Sequence, residues 1–365
     1  MLERARGINE QLVGWRRQIH MHPELGFQET RTAALVAEVL GALGYRVRTG
    51  VGRTGVVGEL GEGSPVVAIR ADMDALPIQE ENDVPYASQT PGVMHACGHD
   101  AHTAIALGVA TMLAQETFPG TVRFLLQPAE EVDDEEGLSG APRMAQDGAM
   151  DGVDAVLALH VAAAMPVGEI SVEPGPVSAG VDSFWATIRG QGAHGAYPHK
   201  GLDPVHLSAH VILALHGIVS RRLNPFDPAV ITVGSIHGGQ AANVIPEDVQ
   251  VSGTIRYEDK SVQQQIHAEM EQALATARTL GGDYELTIQE GGTPIINDEK
   301  IVALLRRVAG DLLGKDKVVP GEKGMGAEDY SVFTDMAPGA MFSLGCRIEG
   351  DERMAHNPTF DLDEG

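Results

Sequence analysis

A thiol and three imidazoles crowd one short stretch, His95-Ala-Cys97-Gly-His99-Asp100-Ala-His102, just ahead of an apolar run with helical spacing. Other groups able to bind a metal or move a proton lie where short apolar runs end. Asp72 and Asp74 follow Val66–Arg70, Glu130 and Glu131 follow Thr121–Gln127, and Ala155–Leu159 leads straight into His160. His356 follows Ala340–Cys346. A thiolate, imidazoles and carboxylates on several loops are the donors a divalent-metal site requires, and such a mixed set accepts Zn, Mn, Co or Ni. The repeated Cys/His hairpin of a structural zinc knuckle is absent, so the reading is a catalytic site with open positions.

Each group has a plainer reading. Glu130 and Glu131 begin an acidic run broken only by Val132, and such runs usually belong to solvated loops. A lone Cys97 is more often a small core residue. With Gly98 between them, however, Cys97 and His99 can face the same way in an extended segment, which favours ligation. His206 and His210 are four apart on a predicted helix but lack the glutamate of a metalloprotease helix, so they read as structural. Cys346 is expected to pack. His22 and His102 stay open between packing and orienting a ligand.

The elements that must carry these groups follow from periodicity. Residues 8–20 and 28–43 have helical spacing, the second stopped by Gly44. The apolar runs Val66–Arg70, Thr121–Gln127 and Ala155–Val161 alternate with helical stretches near 101–115 and 138–148. Apolar strands alternating with helices predict an α/β fold on a mostly parallel sheet covered on both faces. In such sheets ligands bind beyond the carboxyl ends of the strands, where these polar groups lie. From about residue 180 the order becomes strand (182–189), helix (204–222), two strands (229–236, 249–256), helix (260–279) and strand (283–289). That β-α-β-β-α-β order is ferredoxin-like. A helix near 298–313 and the strand at 340–346 then resume the first texture. The expected domains are a split catalytic domain, 1–179 with 292–365, and an inserted domain, 180–291.

The chain has 365 residues, 26 basic against 51 acidic, and a formal net charge of −25. That charge argues against nucleic acid or an anionic membrane as partner. No apolar run approaches the roughly 18 residues of a membrane span, and the first residues hold no apolar leader core. With only Cys97 and Cys346, no disulfide framework is expected, which points to a reducing cytoplasm. No phosphate-cradling glycine loop follows a strand, so nucleotide binding finds no support.

Longer motifs add a family. HMHPELGFQE, RADMDALPIQE, MHACGHDAHTA, QPAEE, LHV, GAHGAYPHKGLDP, ANVIPE, GAEDYSVF and HNPTFDLDE occur in this order from residue 20 to 364. Together they resemble the N-acyl-amino-acid amidohydrolases of the hippurate hydrolase and indole-acetyl-amino-acid hydrolase group. That group is a branch of the dinuclear aminoacylase and carboxypeptidase G metallopeptidases. The resemblance implies two divalent ions, Mn or Zn, with Cys97 as bridging thiolate and His99, Glu131, His160 and His356 as the other ligands. It implies Glu130 as general base and His194 as the histidine of a lid and dimerisation domain, stabilising the oxyanion, often from the partner subunit of a homodimer. Asn243 and Arg256 match groups that hold the substrate carboxylate. Asp72 and Asp74 fall where other branches carry a His-x-Asp ligand motif. With Asp in the first position they are expected, like Asp100, to support ligands from behind. The implied substrate is a small N-acyl amino acid or a short peptide.

This assignment agrees with what amide hydrolysis needs: a nucleophile at neutral pH, a polarised carbonyl and a proton for the leaving amine. Two departures stand out. The loop Val132-Asp-Asp-Glu-Glu-Gly137 is longer and more acidic than the short turn of the family, which leaves open an effect on metal affinity, on the cleft rim, or none. The chain also stops at DLDEG, where relatives continue into a helix, so an exposed apolar patch on the catalytic domain is expected if that helix is missing. Three other readings compete: a metallo-carboxypeptidase or dipeptidase on the same site, a hydrolase with Cys97 as nucleophile, and a non-catalytic binding protein. Cys97, His99, Glu130, Glu131, His160 and His356 standing together speak against the last.

Overall fold

The structure, a computed structural model, describes residues 1–321, 324–351 and 353–365. In chain order the main elements begin with α1 (Asn9–His20), α2 (Thr30–Ala42), β1 (Arg46–Val51), β2 (Gly55–Glu62) and β3 (Val66–Asp72). Next come α3 (His99–Leu113), β4 (Gly120–Gln127), α4 (Gly140–Gln146), β5 (Ala155–Pro166) and β6 (Ile170–Ser171). The middle of the chain forms β7 (Gly180–Arg189), α5 (Pro204–Arg221), β8 (Ala229–His237), β9 (Asp248–Tyr257), α6 (Lys260–Thr279) and β10 (Asp283–Glu290). Last are α7 (Glu299–Leu313), β11 (Val318–Val319) and β12 (Gly339–Arg347).

The chain divides into two compact units. One comprises Met1–Val177, Ile296–Glu322 and Asp329–Gly365, the other Ser178–Ile295 and Lys323–Glu328. The first is built on an eight-stranded sheet in the order β1-β2-β4-β3-β5-β12-β6-β11. Its centre, β4-β3-β5-β12, is parallel, while β1-β2, β2-β4 and β12-β6 are antiparallel. The central strands are the apolar runs of the sequence, and they are apolar on both faces because helices cover both. Val36 and Leu40 of α2 and Leu107 of α3 pack with Phe124 and Leu126 of β4 in one core cluster. Helix α2 starts where it does because Glu24 accepts the free N–H groups of Arg31 (2.9 Å) and Thr32 (2.8 Å), as the positive end of a helix favours. On α7, Leu304, Val308 and Leu312 face outward and are exposed.

The second unit is a four-stranded antiparallel sheet in the order β8-β9-β7-β10, with α5 and α6 packed on it. Read across the sheet from β10, the strands are the fourth, first, third and second of the unit in chain order, the ferredoxin-like order. Both helices are capped by an aspartate, Asp203 to Val205 N–H and Asp259 to Ser261 N–H. Phe184, Ile188, Leu215, Ile255, Ile266 and Leu274 form the buried face.

Most of the expected elements begin and end within two residues of the observed ones, but β5 runs on from Val161 to Pro166. The hairpin β1-β2 is an addition that periodicity did not reveal. Its residues, Arg46 to Glu62, are dense in glycine and charge, and β1 is the edge strand and mostly exposed. No helix among the described residues is long and apolar enough to cross a membrane.

Candidate metal centre

Two strand ends of the first unit, a third strand and the start of α3 supply the site. β3 ends on Asp72 and leads to Asp74. β4 ends on Gln127 and turns through Pro128-Ala129 into Glu130-Glu131, while β5 carries His160 within its length. Gly98 sets the geometry of the Cys97–His99 pair. It is left-handed (φ 88°) and directly precedes α3, so the two side chains converge through a turn and not along the extended segment expected from spacing. A Cβ at Gly98 would lie 2.4 Å from Val161 Cγ2, so only glycine lets this turn sit on β5.

The donor atoms gather in overlapping groups. Cys97 Sγ, one His99 nitrogen and one His160 nitrogen all lie within 4.8 Å of one another, and so do donors of Cys97, Glu131 and His356. A further group joins His99 to Glu130 and Glu131. Cys97 therefore belongs to two triads, as a thiolate shared by two cations would. His160 Nδ1–H donates to the Val161 carbonyl (2.8 Å), which leaves Nε2 facing Cys97 Sγ at 3.5 Å. His99 turns Nδ1 to the Asp74 carbonyl (3.0 Å) and carboxylate (3.1 Å), and its buried Nε2 has no hydrogen-bond partner among the described residues. Glu131 Oε1 is likewise buried and unbonded. It lies 3.0 Å from His356 Nε2, but not in hydrogen-bond geometry. Buried polar atoms left without partners are costly. Orphaned lone pairs aimed at a common point are what a divalent cation satisfies, and the residues present fit one.

Electrostatics agree with that use. Burial pushes the Cys97 thiol up to about 12, with Glu131 and Glu130 adding to the effect against His99, so a nearby cation is needed to hold a thiolate. Burial, then His102, brings His160 down to about 3, which leaves its ring neutral as a ligand must be. Burial opposes charge on His99, yet Asp72, Cys97 and Asp74 carry its pKa well above that of an ordinary imidazole, so a cation bound there has to displace the ring proton.

Behind the donors stands a buried frame. Asp72 accepts from His102 Nδ1 (2.6 Å) and Arg70 Nη1 (2.6 Å) and lies 3.7 Å from His99 Nε2. Although burial alone would raise it, His99, Arg70 and His102 hold the Asp72 carboxyl well below its usual range. The Val161 N–H donates to His102 Nε2 (2.9 Å), so the ring proton sits on Nδ1 and both nitrogens are used. His102 thus ties α3 to β3 and β5 and has no lone pair left for a metal. Asp74, besides orienting His99, accepts the Glu131 N–H (3.0 Å). Asp100 turns the other way, to Arg16 (2.8 Å) and His20 (2.7 Å) of α1.

Sequence reading passed over several members of this frame. Asp329 accepts from Arg70, Gln127, Ser139 and the Ala141 N–H, and so joins the ends of β3 and β4 to α4. It stands inside the GAEDYSVF motif, which was its only signal. The acidic loop proves to be built around Asp134, which accepts from Arg143 (2.7 Å) and the N–H groups of Glu136 and Leu138 and forms an ion pair with Arg53 (2.6 Å). Two arginines therefore offset its charge, while Glu135 is left exposed.

The second unit holds the other three sequence-derived candidates. A two-residue pairing, Ala193–His194 with Val244–Ile245, places His194 opposite Val244. Gly195 N–H donates to the Asn243 carbonyl (2.7 Å), and a Cβ at Gly195 would meet the Asn243 backbone at 3.0 Å, so His194 and Asn243 lie on adjoining backbones. His194 is exposed, and its Nδ1 accepts the Ala196 N–H (3.0 Å), which leaves the proton on Nε2 free to be donated. A groove of about 590 Å³ opens beside this loop, lined among others by His237, Gln240, Val244 and Glu247. Arg256, on β9, is partly buried, and burial lowers its pKa. It has no ion-pair partner among the described residues.

Comparisons with known proteins bear on the whole arrangement. The model of peptidase family M20/M25/M40 matches residues 68–365. The chain is 39% identical to the N-acetyl-L-cysteine deacetylase of Bacillus subtilis, over 98% of this chain and 85% of that protein. It is 38% identical to thermostable carboxypeptidase 2 of Saccharolobus solfataricus, over 98% and 92%. Its fold is similar to the crystal structure of Bacillus subtilis YXEP protein, a dinuclear metal binding peptidase from the M20 family. The TM-score is 0.86 at 33% identity, covering 98% of this chain and 94% of that one.

Proposed function

The chain belongs to peptidase family M20/M25/M40 and is a metal-dependent hydrolase of amide bonds, and from that premise we propose that it removes the acyl group from N-acyl amino acids. Cys97, His99 and His160 would hold one divalent ion and Cys97, Glu131 and His356 the second, Mn or Zn in each place. The observation that carries the reading is the pair of donor triads sharing Cys97, with His99 Nε2 and Glu131 Oε1 buried and unbonded at their centre. Bound there, the two ions supply a nucleophilic water at neutral pH and a polarised carbonyl.

The chain's own residues do the rest. Glu130, on the turn after β4, takes a proton from the attacking water and delivers it to the departing amine nitrogen. His194 offers its Nε2–H to the oxyanion. Asn243 and Arg256 receive the carboxylate of the amino-acid half, a charge that a partly buried cation with no ion-pair partner among the described residues is suited to bind. Asp74 keeps His99 and Glu131 in place, and Asp72 braces His102 behind them. Because a free carboxylate is all this recognition demands of the leaving half, C-terminal trimming of short peptides is the second reading, favoured by the likeness to a carboxypeptidase.

We assign the active form as a homodimer through the second unit. Leu213 (72% exposed) on α5, and Phe226 (88%) and Val230 (40%) at the free edge strand β8, supply the apolar surface for it.

The test is hydrolysis of a panel (hippurate, N-acetyl amino acids, N-acetyl-diaminopimelate, indole-acetyl conjugates and dipeptides) by metal-stripped protein, before and after adding Mn²⁺ or Zn²⁺. Metal-restored cleavage of an N-acyl amino acid is expected. Cleavage that survives metal removal and is lost on alkylation of Cys97 would replace this reading with a thiol hydrolase.

A further inference from the structure

Among the described residues, four other than glycine have a positive φ: Phe27 (61°), Arg53 (79°), Ala129 (43°) and His356 (61°). Such backbone is disfavoured for side chains with a Cβ and persists where its surroundings fix it. The first three converge on one carboxylate. Glu29 Oε1 accepts the N–H of Phe27 (3.0 Å) and the N–H of Ala129 (2.8 Å), while Oε2 accepts the hydroxyl of Thr54, the neighbour of Arg53. Glu29 is fully buried. Helix α2, which begins at the next residue, does not use it, since Glu24 takes the N–H groups of that first turn.

We infer that Glu29 is a positioning residue, which clamps the turn carrying Glu130 and Glu131 and so sets the direction of the general base; this rests on the role given above to Glu130. Ala129 immediately precedes Glu130, and Glu29 fixes its N–H. Its carbonyl is held by the Gly140 N–H (2.8 Å). With both backbone groups bonded, one to each side, the left-handed residue cannot relax to ordinary backbone. Packing closes the remaining freedom. A Cβ at Gly26 would lie 2.4 Å from Val132 Cγ1 and 3.0 Å from Ala129 Cβ, so the turn before Glu29 lies directly on the turn it holds. Arg53 completes the joint, with its guanidinium 4.7 Å over the Phe27 ring and ion-paired with Asp134 at 2.6 Å. Segments around residues 27, 53 and 129 thus meet at a single side chain a hundred positions from the turn it steers. Burial, opposed by Thr54 and the N–H groups of Glu29 and Ala129, carries the Glu29 carboxyl up to about 7, so the group is kept here at a cost in solvation.

Hydrogen bonding and charge separate by substitution. Glu29→Gln keeps an oxygen for the two N–H groups and turns its amide toward Thr54, whereas Glu29→Ala removes all three acceptors. Amide exchange in the peptide covering residues 127–132 would be followed by mass spectrometry on metal-free protein. Mn²⁺ affinity would be titrated alongside, and kcat and KM measured on an N-acetyl amino acid that the wild type cleaves. Glu29→Ala is expected to speed exchange at least tenfold and to lower kcat at least tenfold with KM within threefold. Glu29→Gln is expected to stay within threefold on every measure. Wild-type exchange and kcat in Glu29→Ala, or equal damage in Glu29→Gln, would overturn the inference. If Glu29→Ala does not fold, Glu29→Asp, which keeps the charge but withdraws it by one methylene, is read the same way, and wild-type behaviour there overturns it. Glu130→Gln is assayed in parallel. Full activity in Glu130→Gln defeats the general-base role itself, whereas an inactive Glu130→Gln beside a normal Glu29→Ala defeats only the clamp.

Discussion

Glu130 and Glu131 are chain neighbours for which separate tasks are proposed, and the proposed difference rests on what surrounds each. Glu131 is fastened through its N–H to Asp74 and presents a buried, unbonded oxygen beside His356. Glu130 lies within 4.8 Å of donors of His99 and Glu131, and the proposal leaves it the proton traffic. Glu130→Gln should therefore fold and bind two metal ions yet lose about 10²- to 10⁴-fold in kcat, and a rate near wild type in metal-loaded protein would remove the general base. The ligand candidates were legible in the sequence because thiolate, imidazole and paired carboxylates announce their chemistry by type. Glu29, Arg70 and Asp329 were not, since an acid or a base at those positions reads as an ordinary surface charge. Only the fold shows that Asp329 lies against Gln127, some 200 residues away in sequence. His102 was left open at the sequence level. The pairing of its two nitrogens with Asp72 and Val161 decides it, and neither partner can be inferred from spacing.

The elements hold these residues through a few points that tolerate little change. Gly98 is one: both its φ of 88° and the 2.4 Å approach to Val161 exclude a side chain. Gly98→Ala should lower Tm and reduce metal content together, measured by thermal unfolding and metal analysis; unchanged metal content would show that the turn does not aim Cys97 and His99. A second point is the buried ion cluster that docks α1. Arg16 bonds Asp100, Asp361 and Glu364, and His20 bonds Asp100 and faces Glu80 at 3.2 Å. Although burial alone would lower it, Asp100 and the bonds to Asp100 and Glu80 raise the His20 pKa from 6.5 to about 9. A raised pKa means that the folded state holds the proton more tightly. Its contribution to stability is thus complete below about pH 6.5 and fades as pH rises toward 9, by at most about 3 kcal/mol. Denaturant midpoints should fall over that window in the wild type and not in His20→Gln; parallel curves would contradict the assignment. The strands and helices that carry the site could be read from periodicity, whereas β1-β2 could not, because an edge hairpin rich in glycine and charge has no apolar rhythm.

At the scale of the molecule, the net charge of −25 is set against a site proposed to gather two cations, and the frame around it is built so that acidic groups are paired with Arg16, Arg53, Arg70 and Arg143. The second unit is antiparallel with a free edge at β8, and there a homodimer is expected. Sedimentation should give a dimer at micromolar concentration, and Leu213→Asp with Phe226→Ser should give a folded monomer of reduced activity; a fully active wild-type monomer would exclude the arrangement.

A single experiment reaches the two-ion thiolate site most directly: titrating metal-free protein with Co²⁺ while following thiolate-to-cobalt absorbance and counting bound metal. Two equivalents per chain are expected, with the thiolate band present in the wild type and absent in Cys97→Ser. One equivalent, or two without any thiolate band, would mean that Cys97 does not join the ions and that the site is built differently.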